Sequence, residues 1–185
     1  MDRRIEKSKQ AIMGAFIKLM SEKDFEKITI NEIAEEANVN RGTVYLHYED
    51  KFDLMNKCID THLNQLCDSC ISDGESSNFD SKASLLQTFQ YLEKHAIFYS
   101  NMLTNKAMPA FRERILTMAL KSMEEHLDMT GSNENISKNI MAQYVASAAV
   151  GVMEWWIVNS MPYPAAYMAE QLWQLLKREQ IEGYI

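Results

Sequence analysis

Apolar positions along the 185-residue chain recur with a period near 3.6 rather than two. Ile5, Ile12, Ala15, Phe16, Leu19 and Met20 share one face and predict a first helix over about residues 4–22. A short link, KDFEKI, leads to Thr29-Ile30-Asn31-Glu32. Thr29 can cap the first amides of a helix while Glu32 reaches back, which is a capping box. Ile28 and Ile33 occupy the positions of a hydrophobic staple around it. These cues predict a helix that starts at Thr29 and ends near Glu36 or Ala37. Asn40, a good cap residue, opens another over about 41–47, with Val39 and Val44 as its staple and Gly42 lowering its propensity. Asp50, with Asp53 at its third helical position, opens a long helix striped by Leu54, Cys58, Thr61 or His62, and Leu66.

The remainder continues in the same period. ISDGESSNFDS (71–81) is polar and reads as a loop. Helices are predicted over about 82–94, 96–104 and 108–127, and TGSNEN (130–135) is the next break. A helix over about 136–159 ends at NSMPYP (159–164), whose prolines cannot donate within a helix interior. A last helix covers about 164–178. No internal repeat or strand is evident. The expectation is an all-α chain of about nine helices, with a small unit over 1–50 and a larger one over 51–185.

Composition narrows the class. A 46 % hydrophobic chain with 3 Pro and 6 Gly is neither collagen-like nor globally disordered. At 21.4 kDa it can bury a core without a metal or disulfide framework. Three cysteines at irregular spacing fit a reducing compartment. No apolar run reaches about 18 residues and no secretory signal opens the chain, so a cytoplasmic protein with no membrane partner is expected. The net charge of -7 argues against indiscriminate nucleic-acid binding. Residues 1–57 nevertheless hold 10 Lys/Arg against 11 Asp/Glu, while 58–185 hold 9 against 15. That asymmetry permits two jobs in one chain.

The stretch TINEIAEEANVNRGTVYLHY (29–48) is the informative one. Two short helices flank a tight turn from Ala37 to Asn40. Ile33, Ala34, Ala37, Val39 and Val44 can form one small core beneath their crossing. This is the pattern of a helix-turn-helix, whose second helix lies in the major groove of DNA. Arg41, Thr43 and Tyr45 then offer donors and acceptors to base edges. Gly42 lets DNA approach closely. Thr29 and Asn40 sit at helix N-termini, where amides attract phosphate. Tyr45, His47 and Lys51 can reach flanking phosphates, with Lys51 expected as the main cationic clamp.

Residues 29–54 resemble the DNA-binding signature of the TetR/AcrR family of bacterial transcriptional regulators. The matching positions are Thr29, Ile33, Ala34, Ala37, Val39, Gly42, Thr43, Tyr45, Tyr48, Lys51 and Leu54. Three departures are visible. Asn38 replaces the usual turn glycine, and tolerates a left-handed conformation. Asn40 replaces the usual serine cap, and Tyr48 stands where Phe is more common. LLQTFQYLEKH, FYSNML and GVMEWWI further resemble a subgroup common in low-GC Gram-positive bacteria. The resemblance implies a homodimer that reads a double-stranded palindromic operator, with half-sites about one helical turn, roughly 34 Å, or a multiple apart.

For the dimer, the last two helices are the expected surface. Ala146-Ser147-Ala148-Ala149 and Gly151 allow close approach, and Trp155, Trp156 and Trp173 offer large anchors. Ala148, Val152, Trp155, Trp156, Leu172 and Trp173 are the expected contacts. The resemblance also raises the expectation of a small apolar or amphipathic effector, held by His95, Tyr99, Met102, Phe111 and Tyr144. The helix from Asp50 is the natural lever between the two units. No cofactor and no metal site is expected. Cys67-x-x-Cys70 has no second ligand pair at zinc spacing, and Glu124, Glu125, His126 and Asp128 read as solvated surface. No P-loop, H-E-x-x-H, G-x-S-x-G or Rossmann fingerprint occurs, so an enzyme is not expected. The expectation is a sequence-specific regulator, a repressor released by a small molecule. The alternatives are a coactivator or interaction module governed by a protein partner and, distantly, a helical enzyme.

Overall fold

In the computed structural model, residues 3–69, 82–104 and 109–178 are described. The described residues hold nine α-helices and two 3-10 turns. Helix α1 is Arg3–Glu22, α2 Ile30–Glu36, α3 Arg41–His47 and α4 Lys51–Ser69. Then follow α5 Lys82–Lys94, α6 Ala96–Thr104, α7 Pro109–His126, α8 Lys138–Val158 and α9 Ala165–Arg178. The 3-10 turns, Phe25–Lys27 and Gly131–Asn133, were not anticipated. The expected loop over 71–81 lies outside the described residues, as does Cys70.

Local chemistry accounts for the boundaries. Asp50 Oδ1 accepts the amides of Phe52 and Asp53, both at 2.8 Å, and Asp53 Oδ2 accepts that of Glu49 at 3.0 Å. The start of α4 is thereby satisfied on both sides. Helix α8 ends where Ser160 and Met161 adopt φ of 60° and 52°. The Met161 amide turns back to the Trp156 carbonyl at 2.8 Å, closing the end before Pro162.

Helices α1, α2 and α3 form a small head over Ile12, Phe16, Leu19, Phe25, Ile28, Ile33, Ala34 and Val44. Beyond α4, α5 packs on α9 and α7 on α8. One buried cluster runs from Ile12 in the head to Leu172 in α9, so the head is packed onto the larger unit. Phe89 and Trp156 meet edge to face at 5.1 Å in its middle. A smaller cluster joins Met123 and Leu127 to Met141, Ala142, Val145 and Ala146.

Several expected interface and pocket residues fall elsewhere. Trp156 is fully buried, with its indole N–H donating to the Tyr163 carbonyl at 2.8 Å. Leu172 is also buried, so neither can anchor a partner. Both lie on inward faces of helices that the apolar pattern could not orient. Trp155, one residue away, is 48 % exposed, Ala148 is exposed, and Val152 and Trp173 are half-buried. Of the expected pocket, Tyr99, Met102 and Phe111 are core. Tyr144 is 54 % exposed and lines a surface groove on α8 with Ile140, Gln143 and Ala148. His95 is half-buried and tilts against Tyr91, ring centroids 4.4 Å apart.

Candidate nucleic-acid interface

The head is built around the α2–turn–α3 unit. Thr29 caps α2 as expected: its Oγ1 accepts the Glu32 amide at 3.3 Å, and Glu32 Oε2 accepts the Thr29 amide at 2.9 Å. Lys23 bonds the other Glu32 oxygen, and these bonds pull the Glu32 carboxyl down to about 2. Lys18 pairs with Glu36 at 2.7 Å. Two of the three α2 carboxylates are thus neutralised by lysines of or beside α1. Ile28 and Ile33 are buried as the staple requires. The turn then reverses through Asn38, at φ 51°. An asparagine accepts that left-handed conformation at small cost, so the missing glycine leaves the turn intact.

Helix α3 is braced from behind. Val44 is fully buried. His47 Nε2 lies 2.9 Å from Ser8 Oγ, and Ser8 donates its own proton to the Ile5 carbonyl at 2.8 Å. The imidazole N–H is therefore the donor to Ser8. Lys57, on α4, donates to the His47 carbonyl at 3.2 Å and to Asp53 at 2.8 Å. The α3 C-terminus is thereby tied to both α1 and α4. Sequence reasoning missed Ser8 and Lys57 in these roles. The Asp53–Lys57 spacing of four signals the ion pair but not the carbonyl it also meets.

The outer face of α3 is open. Arg41, Gly42, Tyr45 and Leu46 are exposed, and Thr43 is half-buried. Arg41 donates to the Tyr45 hydroxyl at 3.3 Å, and its guanidinium lies over that ring, 5.3 Å from the centroid. A Cβ placed on Gly42 would meet nothing within 4 Å. The fold itself does not require glycine there, and pays helix propensity to keep it. Leu46 is 76 % exposed, an apolar side chain that sequence reasoning did not single out.

Three expected roles need correction. Asn40 holds the N-cap position of α3, but its side chain makes no cap bond. His47 is turned toward Ser8 instead of outward. Lys51 donates to the carbonyls of Phe25, Glu26 and Ile28 at 3.1, 2.9 and 3.2 Å, and its ammonium also lies over the Phe25 ring. All three ammonium protons are spent on backbone, so Lys51 clamps the 3-10 turn to α4 and has no donor left for phosphate.

Residues 12–58 match the bacterial regulatory proteins of the tetR family. Residues 80–178, more than half of the chain, match the transcriptional regulator C-terminal region of that family. The chain belongs to the TetR family. Among curated relatives, it is 22 % identical over 178 residues to the uncharacterized HTH-type transcriptional regulator YxbF of Bacillus subtilis (strain 168), covering 94 % of this chain and 46 % of that one. It is 27 % identical over 86 residues to the biofilm operon icaADBC HTH-type negative transcriptional regulator IcaR of Staphylococcus epidermidis, covering 46 % and 44 %. The chain thus spans about half the length of these relatives. Among solved structures, it superposes on the dihydroxyacetone kinase operon activator DhaS with a TM-score of 0.71 at 20 % identity, covering 96 % and 97 % of the two chains. That likeness shows a shared fold.

The TetR-family head meets the larger unit through α1, which packs on α6 with Asn101 donating to the Ile17 carbonyl at 3.3 Å, and through α4. His62 stacks on Phe98 with centroids 3.9 Å apart, and its carbonyl accepts the Tyr99 hydroxyl at 3.3 Å. Tyr91 donates to Gln65 at 2.9 Å, so His62 Nδ1–H is the donor to the Tyr91 oxygen at 3.3 Å. Burial and the neighbouring His95 push the His62 imidazole down to about 4, which keeps it neutral at neutral pH. Burial raises the Cys58 thiol to about 12 and raises Cys67 as well, opposite to what a reactive thiolate needs. No helix among the described residues is long and apolar enough to cross a membrane.

Proposed function

We propose that this TetR-family chain is a sequence-specific transcriptional repressor that binds a palindromic operator as a homodimer. The observation that carries the reading is the asymmetry of α3. Its inner face is bonded to α1 and α4, while Asn40, Arg41, Gly42 and Tyr45 face outward on a rigid support. A braced helix with an open polar face suits insertion into the major groove. Thr43 sits at the edge of that face. Thr29, at the start of α2, is placed to orient the amides that meet the backbone. No catalytic role is part of this reading. The repressor sense is supported by IcaR, named as a negative regulator.

A second copy of the chain suits the outer face of α8 and α9. Ile140, Tyr144, Ala148 and Trp155 recur at intervals of four, four and seven residues along α8, which places them on one stripe. Tyr163 packs on Tyr167 at 5.0 Å and tilts against Trp155, extending the apolar surface. Pairing of these helices from two chains forms a four-helix bundle that sets the spacing of the two heads. A small apolar or amphipathic effector would act by prising apart Phe98, Tyr99 and Phe111. His62 ties those rings to α4, so their displacement moves the helix that supports α3.

The test is selection of bound duplexes from a random pool by the purified protein at moderate salt. Recovery of a palindrome with half-sites about one helical turn, or a multiple, apart is expected. A folded dimer that recovers no motif overturns the reading in favour of a partner-dependent interaction module.

A further inference from the structure

Tyr48, the residue that closes α3, is 2 % exposed, and its hydroxyl has no hydrogen-bond partner. A phenylalanine would fill the same space without leaving a polar group unmatched in the interior. Burial, with the nearby Cys58, Asp53 and Glu6, raises the phenol above its ordinary value, so it keeps its proton and remains a donor. Packing therefore does not account for the hydroxyl. The side chain forms part of the wall of a cleft of about 330 Å³, a volume that suits a small molecule. The cleft lies between α1 and α4 at the end of α3, and Phe98, Tyr99 and Phe111 do not line it.

The charged groups around the cleft divide into committed and uncommitted. Lys57 is bonded to Asp53 and to the His47 carbonyl, and Asp60 to Arg114. Glu6 and Lys9, on α1, have no ion-pair partner among the described residues. They stand three residues apart and so share one face of the helix. We propose that this cleft binds a free α-amino acid, with Glu6 taking its ammonium and with Lys9 and the Tyr48 hydroxyl taking its carboxylate. A simple anion would suit Lys9 but press against Glu6, and a simple cation would do the reverse. A neutral ligand would cover both charges without a counter-charge. A molecule that carries an ammonium and a carboxylate on one carbon meets both, and its carboxylate gives the unmatched phenol an acceptor. Asn64, exposed on the α4 side, offers a carboxamide to a polar ligand side chain. His47 and Lys57 line the same cleft, so the ligand sits against the brace of α3. None of this depends on operator binding, and the test needs no DNA.

The full chain is unfolded in urea alone and with each of the protein L-amino acids at millimolar concentration. At least one is expected to raise the urea midpoint, because a ligand held by the folded state alone stabilises it. Its N-acetyl derivative lacks the ammonium and its methyl ester lacks the carboxylate. Each derivative is expected to bind at least about ten-fold more weakly in calorimetric titration. Tyr48→Phe, which keeps the ring and its packing, should weaken the amino acid by a similar factor while remaining folded without it. Glu6→Gln should no longer distinguish the amino acid from its N-acetyl derivative, and Lys9→Gln should no longer distinguish it from its methyl ester. No midpoint shift with any amino acid overturns the proposal. A shift that all three variants retain in full places the ligand elsewhere and overturns it as well. Equal affinity of the wild type for the amino acid and both derivatives means that neither charge is read, which also overturns it.

Discussion

Helices α2 and α3 are each seven residues long and follow one another across a tight turn, yet they treat their polar groups in opposite ways. Helix α2 looks inward for its bonds. Thr29 and Glu32 close its start reciprocally, and Lys18 and Lys23 neutralise Glu36 and Glu32. Helix α3 has no side-chain cap, carries a glycine the packing does not need, and exposes Tyr45 and Leu46. Even on its buried side, the Tyr48 hydroxyl that follows it has no partner. The first helix is optimised for the fold and the second is held back from it. Local stability left unused on an exposed face is a mark of an outward task.

That contrast can be tested by substitution. Lys51→Met should have the largest effect. It leaves three carbonyls near Phe25 without their donor, and should lower stability by about 2–3 kcal/mol in urea unfolding. The slope of DNA affinity against salt should barely change, since Lys51 makes no free phosphate contact; a slope reduced by about one with intact stability would restore the clamp role. Tyr48→Phe removes the unpaired buried hydroxyl and should raise stability by about 1–2 kcal/mol, seen as a higher urea midpoint. A drop instead would mean that the hydroxyl does find a partner in solution.

Gly42→Ala should stabilise the free protein by about 1 kcal/mol through helix propensity, since its Cβ meets open space. The same variant should bind operator more weakly, because the methyl stands where the duplex approaches. Gains in both stability and affinity would break the contrast between the helices. Thr29→Ala should cost about 1 kcal/mol by loss of the cap. Its partner supplies a pH signature. Glu32 titrates near 2 in the fold against an ordinary value near 4.5. Its contribution is therefore complete above about pH 4.5 and is lost as pH falls toward 2. Acid titration of Glu32→Gln should lack that part of the decline, and an unchanged profile would remove Glu32 from the account.

Local cues made most of the helical framework legible. The capping box at Thr29, the side-chain cap at Asp50 and the prolines after Asn159 act within a few residues, so spacing alone reports them. Asn38 was readable as a left-handed turn for the same reason. Trp155 and Trp156 were not separable. They are adjacent in a helix whose apolar residues occupy nearly every face, so periodicity carries no inside and outside there. Packing against Phe89 decides that Trp156 is core and Trp155 surface.

The sequence by itself determined that this chain is all-helical, where its helices begin and end, and that residues 29–54 carry the TetR-family signature. Each of these depends on contacts between near neighbours. The tertiary structure decided which polar groups remain available. Lys51 is consumed by carbonyls 23 to 26 residues upstream, and His47 by Ser8 39 residues away. A donor has few protons to give, and only the folded chain determines whether they go to its own backbone or to another molecule.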